Sequence, residues 1–356
     1  MVKILAFHLP QYHRFPENDM WWGEGFTDWV NVKKAQPLFK GHQQPRIPLD
    51  GYYDMLDKST HIHQAELAKK YGVYGFCYYH YWFNGKMLME KPLELILREE
   101  EVDLPFCMCW ANEPWTRSWD GKSREVIMPQ SYGNKADWER HINYLMAFFK
   151  DSRYIKVDNK PVFVFYRTNN IENCDEMIEC WEKACVDNGF DGIYIIEEKN
   201  NFQHEPSCSR SSATLEFEPG YTRSFDKTTF IKAQNKIAAA FGKKYSTYSY
   251  EVTCNHIVAR KVEKKCGKPN YLGMFVGWDN TPRRSEGGVI ATGATPEAFE
   301  KYLCMQIDRS KSIGNEFLFI NAWNEWAEGA YLEPDLTNGT KMLEAVCHAV
   351  GGKNND

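Results

Sequence analysis

Short apolar runs alternate with helical patterns along the 356-residue chain, and eight such runs can be distinguished. Strands that alternate with helices are typical of a parallel sheet. Polar and aromatic residues follow the runs, as expected where barrel strands end at one rim. The first turn, residues 8–11, lacks the glycines that mark a doubly wound open sheet. The sequence therefore predicts one α/β domain over residues 1–356, a single TIM-type (β/α)8 barrel with long βα loops.

The predicted strands are short runs rich in β-branched and aromatic residues. They cover residues 2–7, 73–79, 105–110, 161–166, 192–196, 213–217, 271–276 and 317–320. Residues 16–32 form a predicted loop after the first strand, and this loop carries three tryptophans. Long structured loops in compact domains are usually functional, so we expect this loop to contribute to a site.

The predicted helices lie between and after these strands, at residues 59–70, 92–100, 136–149, 173–188, 230–241, 296–312 and 339–350. The helix at 296–312 has the clearest start, because Thr295 can cap it and Pro296 suits its first position. Residues 243–268 show no readable pattern.

The chain is rich in aromatic residues, which make up 15% of it and include 12 Trp, 20 Tyr and 21 Phe. This excess favours carbohydrate binding, because aromatic rings stack on the apolar faces of sugars; aromatic packing and interfaces are the alternative. The formal net charge is −5, and no block of Lys and Arg is long enough to indicate a nucleic-acid surface. We therefore expect an oligosaccharide or polysaccharide substrate and no nucleic-acid partner.

Several sequence patterns indicate the cellular compartment of the protein. No segment approaches about 18 consecutive apolar residues, so no transmembrane segment is predicted. The first residues lack the apolar core and cleavage site of a signal peptide. Eleven cysteines, an odd number, indicate reduced thiols and a cytoplasmic location. Cys107 and Cys109 have no second pair at zinc spacing, so we expect them in the core and expect no metal or other cofactor.

If the strands close into a barrel, the polar residues at their ends converge on one site. These residues are His8, His80, Trp82, Asn112, Glu113, Arg167, Glu218, Asp279, Asn324, Glu325 and Glu328. Singly, each has a simpler interpretation. A rim histidine is often only hydrogen-bonded, Arg167 can serve only to pair with a carboxylate, and Glu197 and Glu198 can be solvated.

The strongest local signal lies in residues 316–335, where an apolar strand gives way to carboxylates, amides and indoles. Glu325 and Glu328 stand three residues apart, so they share a face in a helical or turn geometry. Two carboxyl groups among tryptophan rings suit acid/base work on a sugar.

The segment Asn-Glu-Trp-Ala-Glu-Gly at 324–329, followed by Leu-Glu-Pro at 332–334, resembles the catalytic segment of glycoside hydrolase family 99, the endo-α-mannosidases. Ala327 stands where those hydrolases carry His. Nearly the whole chain resembles a sister group, the WbsX-like proteins of bacterial polysaccharide gene clusters, which are often labelled glycosyltransferases. The segments that carry this resemblance are residues 7–13, 21–29, 51–54 and 111–115.

The resemblance implies a (β/α)8 barrel and a retaining reaction on α-mannoside-like bonds. By position, Glu325 would be the base that deprotonates the sugar 2-hydroxyl, and Glu328 the general acid/base at the leaving oxygen. A proton donor needs a raised pKa near neutrality, which we expect for Glu328, with Trp323 and Trp326 as dry walls. The candidate substrate-binding residues are His8, Gln11, Trp22, His80, Trp82, Asn112, Glu113, Trp115, Asp279, Asn324 and Trp326.

Three functional hypotheses follow. The first is a retaining glycoside hydrolase or transglycosylase that acts on bacterial polysaccharide. The second is a glycosyltransferase of O-antigen, lipopolysaccharide or capsule biosynthesis, although the chain shows neither an Asp-x-Asp metal motif nor a Rossmann-type phosphate loop. The third is a non-catalytic carbohydrate-binding barrel.

Overall fold

A closed barrel of eight parallel strands forms the centre of the protein. The computed structural model describes residues 2–117, 125–225, 245–262, 267–284 and 287–352. The barrel strands are β1 (Lys3–His8), β2 (Gly75–Phe83), β3 (Phe106–Trp110), β4 (Lys160–Phe165), β5 (Tyr194–Lys199), β6 (Ala213–Glu216), β7 (Asn270–Phe275) and β8 (Phe317–Asn321). Each strand pairs in parallel with the next, and β8 pairs with β1. The predicted (β/α)8 barrel is confirmed.

Helices connect the strands and cover the barrel. In the described part of the chain they are α1 (Pro16–Trp22), α2 (Asp28–Lys34), α3 (Lys58–Lys70), α4 (Glu90–Arg98), α5 (Lys135–Phe149), α6 (Cys174–Asp187), α7 (Gly220–Phe225), α8 (Tyr250–Ala259), α9 (Pro296–Ser312) and α10 (Lys341–Ala349). Single 3-10 turns lie at Thr168–Asn170 and Trp326–Glu328. Short strands lie at Lys86–Leu88, Trp115–Thr116, Val126–Met128, Lys156–Val157, Tyr245–Ser249, Gly288–Thr292, Asn324–Glu325 and Ala330–Tyr331.

The predicted loop at residues 16–32 differs from the structure, because two short helices, α1 and α2, interrupt it. Pro16 suits the first turn of α1, and Glu17 complements the positive end of the helix. The unreadable residues 243–268 include α8 and the strand Tyr245–Ser249. The predicted helix at 230–241 lies outside the described residues. Helix α9 begins and ends as predicted.

Strand β5 also differs from the prediction, because it continues to Lys199 and so includes Glu197 and Glu198. Both side chains are fully buried, so the interpretation that they are solvated is wrong. Glu197 accepts hydrogen bonds from the backbone N–H of Ser207 (2.7 Å) and from Gln203 Nε2 (2.9 Å), which offset its burial. Burial raises the pKa of Glu198 to about 8.

Strand residues alternate between the inside of the barrel and the layer beneath the helices. Phe7 of β1 points inward and packs against Phe319 of β8. Among the described residues, no helix is long and apolar enough to cross a membrane, and no group of three His, Cys, Asp or Glu side chains could hold a metal ion. The ten described cysteines form no disulfide bond.

Candidate active site

A cavity of about 670 Å³ opens where the barrel strands end. Residues at the ends of β2 and β8 and residues that follow β3 to β8 line it, together with Trp22 of α1. Its aromatic lining comprises Trp22, Tyr79, Tyr81, Trp115, Tyr166, Phe202, Phe217 and Trp278. Its charged lining comprises Glu113, Arg167, Arg223, Arg283, Arg284, Glu325 and Glu328. Aromatic walls with a few charged groups are typical of a site for a polar ligand with apolar faces, and the position is the usual one for the active site of this fold.

The two candidate carboxylates reach the cavity through a tight turn after β8. Asn324–Glu325 pairs antiparallel with Ala330–Tyr331, and the 3-10 turn Trp326–Glu328 joins the two. Gly329 closes the turn with φ of +60°, and a Cβ atom there would lie 2.9 Å from Asp279. The turn therefore needs glycine at this position. As expected from their spacing, Glu325 and Glu328 face the same cavity.

A single guanidinium group joins these two carboxylates. Arg283 donates through Nη1 to Glu328 Oε1 (2.6 Å) and through Nη2 to Glu325 Oε2 (3.2 Å). It also donates through Nη2 to Asp28 Oδ2 (2.6 Å), and Asp28 is fully buried in α2. Three carboxylates thus share one cation. Because each contact is charge-assisted, Arg283 fixes the positions of both glutamates relative to each other.

The two glutamates differ in burial and therefore in electrostatic environment. The side chain of Glu325 is 9% exposed and that of Glu328 is 24% exposed. Burial raises the pKa of Glu325 to about 8, the neighbouring Arg283 opposes this shift, and the charges of Glu328 and Asp28 add to it. The sequence predicts a raised pKa for Glu328, whereas in the structure Glu325 is the more deeply buried of the two.

The backbone of the turn is held by side chains beneath the cavity. The Tyr12 hydroxyl donates to the Asn324 carbonyl (2.7 Å) and accepts from the Trp326 N–H (3.0 Å). The Asn324 amide is fully buried and pairs with the backbone of Leu9, accepting from its N–H (2.7 Å) and donating to its carbonyl (3.0 Å). Asn324, predicted to bind substrate, thus ties the end of β8 to the end of β1 and does not line the cavity.

Replacing Asn324 by Ala should therefore destabilise the protein by about 2–4 kcal/mol, because it leaves two buried backbone groups of Leu9 without a partner. Thermal or urea unfolding measures this change. Asn188→Ala is the matched control, since the Asn188 amide is exposed and donates only to the Ala184 carbonyl. We expect the control to cost less than about 0.5 kcal/mol. Equal stability of the two variants would contradict this role for Asn324.

Trp323 and Trp326 are fully buried and do not line the cavity, so the expectation that they form its walls is wrong. Their indole N–H groups donate to the two oxygens of Glu333, at 3.0 Å from Trp323 and 2.6 Å from Trp326. Trp326 also stacks on Tyr331, with ring centroids 3.8 Å apart. The two indoles support the turn from below. Ala327 is fully buried within the turn.

The predicted residues His8, His80 and Trp82 lie outside the cavity, because their side chains leave the barrel on its outer face. His8 Nε2 lies 3.0 Å from Gln64 Oε1 of α3. His80 Nε2 lies 2.8 Å from His141 Nε2 of α5, and Trp82 stacks on the same imidazole. Burial lowers the pKa of His8 and of His80 to about 3, so both imidazoles are neutral at physiological pH. Their inward neighbours on β2, Tyr79 and Tyr81, line the cavity instead.

Of the remaining predicted residues, three line the cavity and the others lie behind or beside it. Trp22, Glu113 and Trp115 line the cavity. Asn112 supports it from behind, since its amide accepts from the Arg167 N–H and donates to the Arg167 carbonyl, both at 2.8 Å. The other three do not line it: Gln11 is buried, Glu218 binds Arg260 (3.1 Å), and Asp279 lines a neighbouring cavity of about 500 Å³.

Asp28 and Arg283 are the two residues bound to the carboxylate pair that were not predicted from the sequence as site residues. They lie 255 positions apart and meet only through the closed barrel. Each follows a strand, Asp28 after β1 and Arg283 after β7. Their position after strands was the available signal, but nothing local distinguishes them from neighbouring charged residues.

Comparison with known proteins identifies the family of this chain. A profile described as Glycosyltransferase WbsX matches residues 4–346. The chain belongs to the WbsX family. The uncharacterized protein WxcX of Xanthomonas campestris pv. campestris, from strain ATCC 33913 and from strain B100, is 35% identical over 355 residues. The match covers 98% of this chain and 50% of WxcX, so the chain spans about half the length of these curated relatives.

Solved structures share the fold of this WbsX family member. An endo-α-mannosidase of glycoside hydrolase family 99 from Bacteroides thetaiotaomicron superposes with a TM-score of 0.58 at 13% identity, covering 98% of this chain and 97% of the other. A glycoside hydrolase-like protein superposes with a TM-score of 0.61 at 11% identity, covering 98% of this chain and 93% of the other. At these identities the similarity establishes the barrel fold alone.

Proposed function

We propose that this WbsX family member is a carbohydrate-active enzyme that cleaves or transfers a glycosyl unit with retention of anomeric configuration. The observation that carries the proposal is the carboxylate pair Glu325 and Glu328 on one guanidinium, in an aromatic-lined cavity at the active-site end of the barrel. Two carboxyl groups flanking a sugar are the usual machinery of glycoside chemistry. The substrate would be an α-mannoside-like bond of a bacterial polysaccharide or its precursor.

The proposed roles follow the resemblance to family 99. Glu325 takes the proton of the sugar 2-hydroxyl, and that oxygen attacks the anomeric carbon to form a 1,2-anhydro sugar. Glu328 gives its proton to the leaving oxygen as the glycosidic bond breaks. Glu328 then takes a proton from water or from an acceptor hydroxyl, which opens the anhydro ring at the anomeric carbon, and Glu325 returns its proton to the 2-oxygen. Two inversions give overall retention.

Arg283 would act as a positioning residue in this scheme. It binds both glutamates and so fixes the spacing between the proton acceptor at the 2-hydroxyl and the proton donor at the leaving oxygen. Its charge also favours the ionised form of Glu325, which the desolvated site disfavours. Tyr79, Tyr81 and Trp278 would pack against the sugar rings.

The pH profile should reveal the role of Glu325. With a pKa of about 8, Glu325 is mostly protonated below pH 8 and ionised above it. A base must be ionised, so on an α-mannosyl fluoride, whose fluoride leaves without a proton from the protein, we expect kcat/KM of the wild type to rise about tenfold per pH unit up to about pH 8 and then level off. The profile of Glu325→Gln on this substrate should lack this rise. A fall in kcat/KM through pH 8 on this substrate would contradict the role of Glu325 as the base.

The second candidate function is transfer from an activated sugar donor, which the family description favours. Arg167, Arg223 and Arg284 in the cavity also favour it, since guanidinium groups bind phosphate. Product analysis separates the two reactions: the protein is incubated with α-mannosyl oligosaccharides and, separately, with nucleotide sugars plus acceptor. Consumption of oligosaccharide alone supports hydrolysis or transglycosylation, and consumption of nucleotide sugar alone supports transfer. A barrel that binds oligosaccharide and consumes neither would be a binding protein.

A further inference from the structure

The charges in the cavity are unevenly distributed. Four arginines line it, and they are Arg167, Arg223, Arg283 and Arg284. Three carboxylates line it, and they are Glu113, Glu325 and Glu328. Because Arg283 binds Glu325, Glu328 and the buried Asp28, one carboxylate, that of Glu113, remains for the other three cations.

Arg167 is only partly neutralised by that carboxylate. Its Nη1 lies 3.5 Å from Glu113 Oε2, at the limit of a hydrogen bond, and its side chain is 20% exposed. Its Nε–H is buried and has no hydrogen-bond partner in the part of the chain that the structure describes. The guanidinium carbon Cζ lies 4.3 Å from the centre of the Phe202 ring. Arg167 thus retains donors that a ligand could satisfy.

Arg223 forms no ion pair with any of the described residues. Its half-buried guanidinium lies 4.2 Å from the centre of the Tyr248 ring. Arg284, exposed at the same opening, likewise has no carboxylate partner within the described ranges. A half-buried cation without a counter-ion is costly, so a ligand that brought a negative charge would gain from it.

Arg167 and Arg223 follow different barrel strands from the carboxylate pair. Arg167 follows β4 and Arg223 lies in α7 after β6, whereas Glu325 and Glu328 follow β8. In a closed barrel of eight strands, β4 is four strands from β8 in either direction. Arg223 follows β6, which is two strands from β8, so a sugar unit next to the one that reacts at Glu325 would reach the two cations.

We propose that the substrate carries an anionic group, a carboxylate or a phosphate, that binds Arg167 and Arg223 on a sugar unit next to the one that reacts. This inference rests on the function proposed above for the site. Guanidinium groups bind both anions through paired, charge-assisted hydrogen bonds, and contact with the rings of Phe202 and Tyr248 restricts the two arginines, which lowers the entropic cost of binding. The substrate class is thus an acidic or phosphorylated glycan.

Binding of three matched monosaccharides tests the inference without requiring turnover. Glucuronic acid, glucose 6-phosphate and glucose are titrated into the protein in low salt and followed by ligand-observed NMR. We expect at least one anionic sugar to bind roughly tenfold or more tightly than glucose. The stronger of the two anions distinguishes a carboxylate from a phosphate ligand. Arg223→Ala and Arg167→Gln should each reduce the preference about tenfold, and Arg223→Lys should retain part of it.

Two controls make the outcome decisive. Arg98→Ala removes an exposed guanidinium of α4, far from the cavity lining, and should leave the preference unchanged. Glu325→Gln should also keep the preference. If the wild-type protein shows the preference but turns over neither oligosaccharide nor nucleotide sugar, the result contradicts only the proposed function. Equal binding of glucose and both anions, no binding of either anion, or a preference that survives in folded Arg223→Ala and Arg167→Gln would overturn the inference.

Discussion

Replacing either glutamate of the pair by Gln should lower turnover of an O-linked glycoside about 10²–10⁴-fold, because each variant removes one proton transfer from the reaction. Glu325→Gln and Glu328→Gln keep the size of the side chain, so the barrel should remain folded. Glu66→Gln, an exposed carboxylate on α3, is the matched control and should retain full activity. Turnover is measured on the oligosaccharide that product analysis identifies.

A substrate with a good leaving group should distinguish the roles of the two glutamates. Fluoride departs without protonation, so Glu328→Gln should keep far more activity on an α-mannosyl fluoride than on an O-linked glycoside. Glu325→Gln should lose activity on both substrates, because attack by the 2-hydroxyl oxygen precedes departure of either group. Equal losses in the two variants on both substrates would contradict the assignment of separate roles.

Replacing Arg283 by Met should destabilise the protein by about 3–5 kcal/mol, because it leaves Asp28, Glu325 and Glu328 together without a cation. Activity should fall as well, since the spacing of the pair is no longer fixed. The loss of stability should shrink as the pH is lowered, because protonation of Glu325, whose pKa is raised, removes one of the repelling charges. Urea unfolding at several pH values measures both effects.

An exposed ion pair provides the control for this variant. Arg140 of α5 pairs with Asp137 at the surface, so Arg140→Met should change stability by less than about 0.5 kcal/mol. Adding Asp28→Asn to Arg283→Met should restore part of the lost stability, because it removes one of the unpaired carboxylates. An Arg283→Met protein as stable as the control would show that the shared guanidinium has no structural role.

The sequence was sufficient for the barrel and for the carboxylate pair, because both depend on local patterns. Eight apolar runs have the length and composition of strands, and the segment around Glu325 and Glu328 is continuous. Contacts between distant segments were not predictable in this way. Arg283 lies 255 positions from Asp28 and 42 positions from Glu325, and only barrel closure brings them together.

The predicted strand ends also differ from the structure, and this changes which side chains face the cavity. Strand β2 continues to Phe83, beyond the predicted end at residue 79, so His80 and Trp82 still follow the alternation of a strand. Their side chains therefore face α5, and Tyr79 and Tyr81 occupy the inward positions. A shift of one position exchanges all the side chains that face a site, so residues near a strand end need the three-dimensional structure.

Product stereochemistry tests the central claim most directly. Proton NMR follows the first anomer released from an α-mannosyl fluoride, before mutarotation, by the wild-type protein and by Glu325→Gln. The proposed mechanism predicts that the wild type releases the α-anomer first and that Glu325→Gln releases it at least about 10²-fold more slowly. First release of the β-anomer, or equal rates in the two proteins, would contradict a retaining reaction that depends on Glu325.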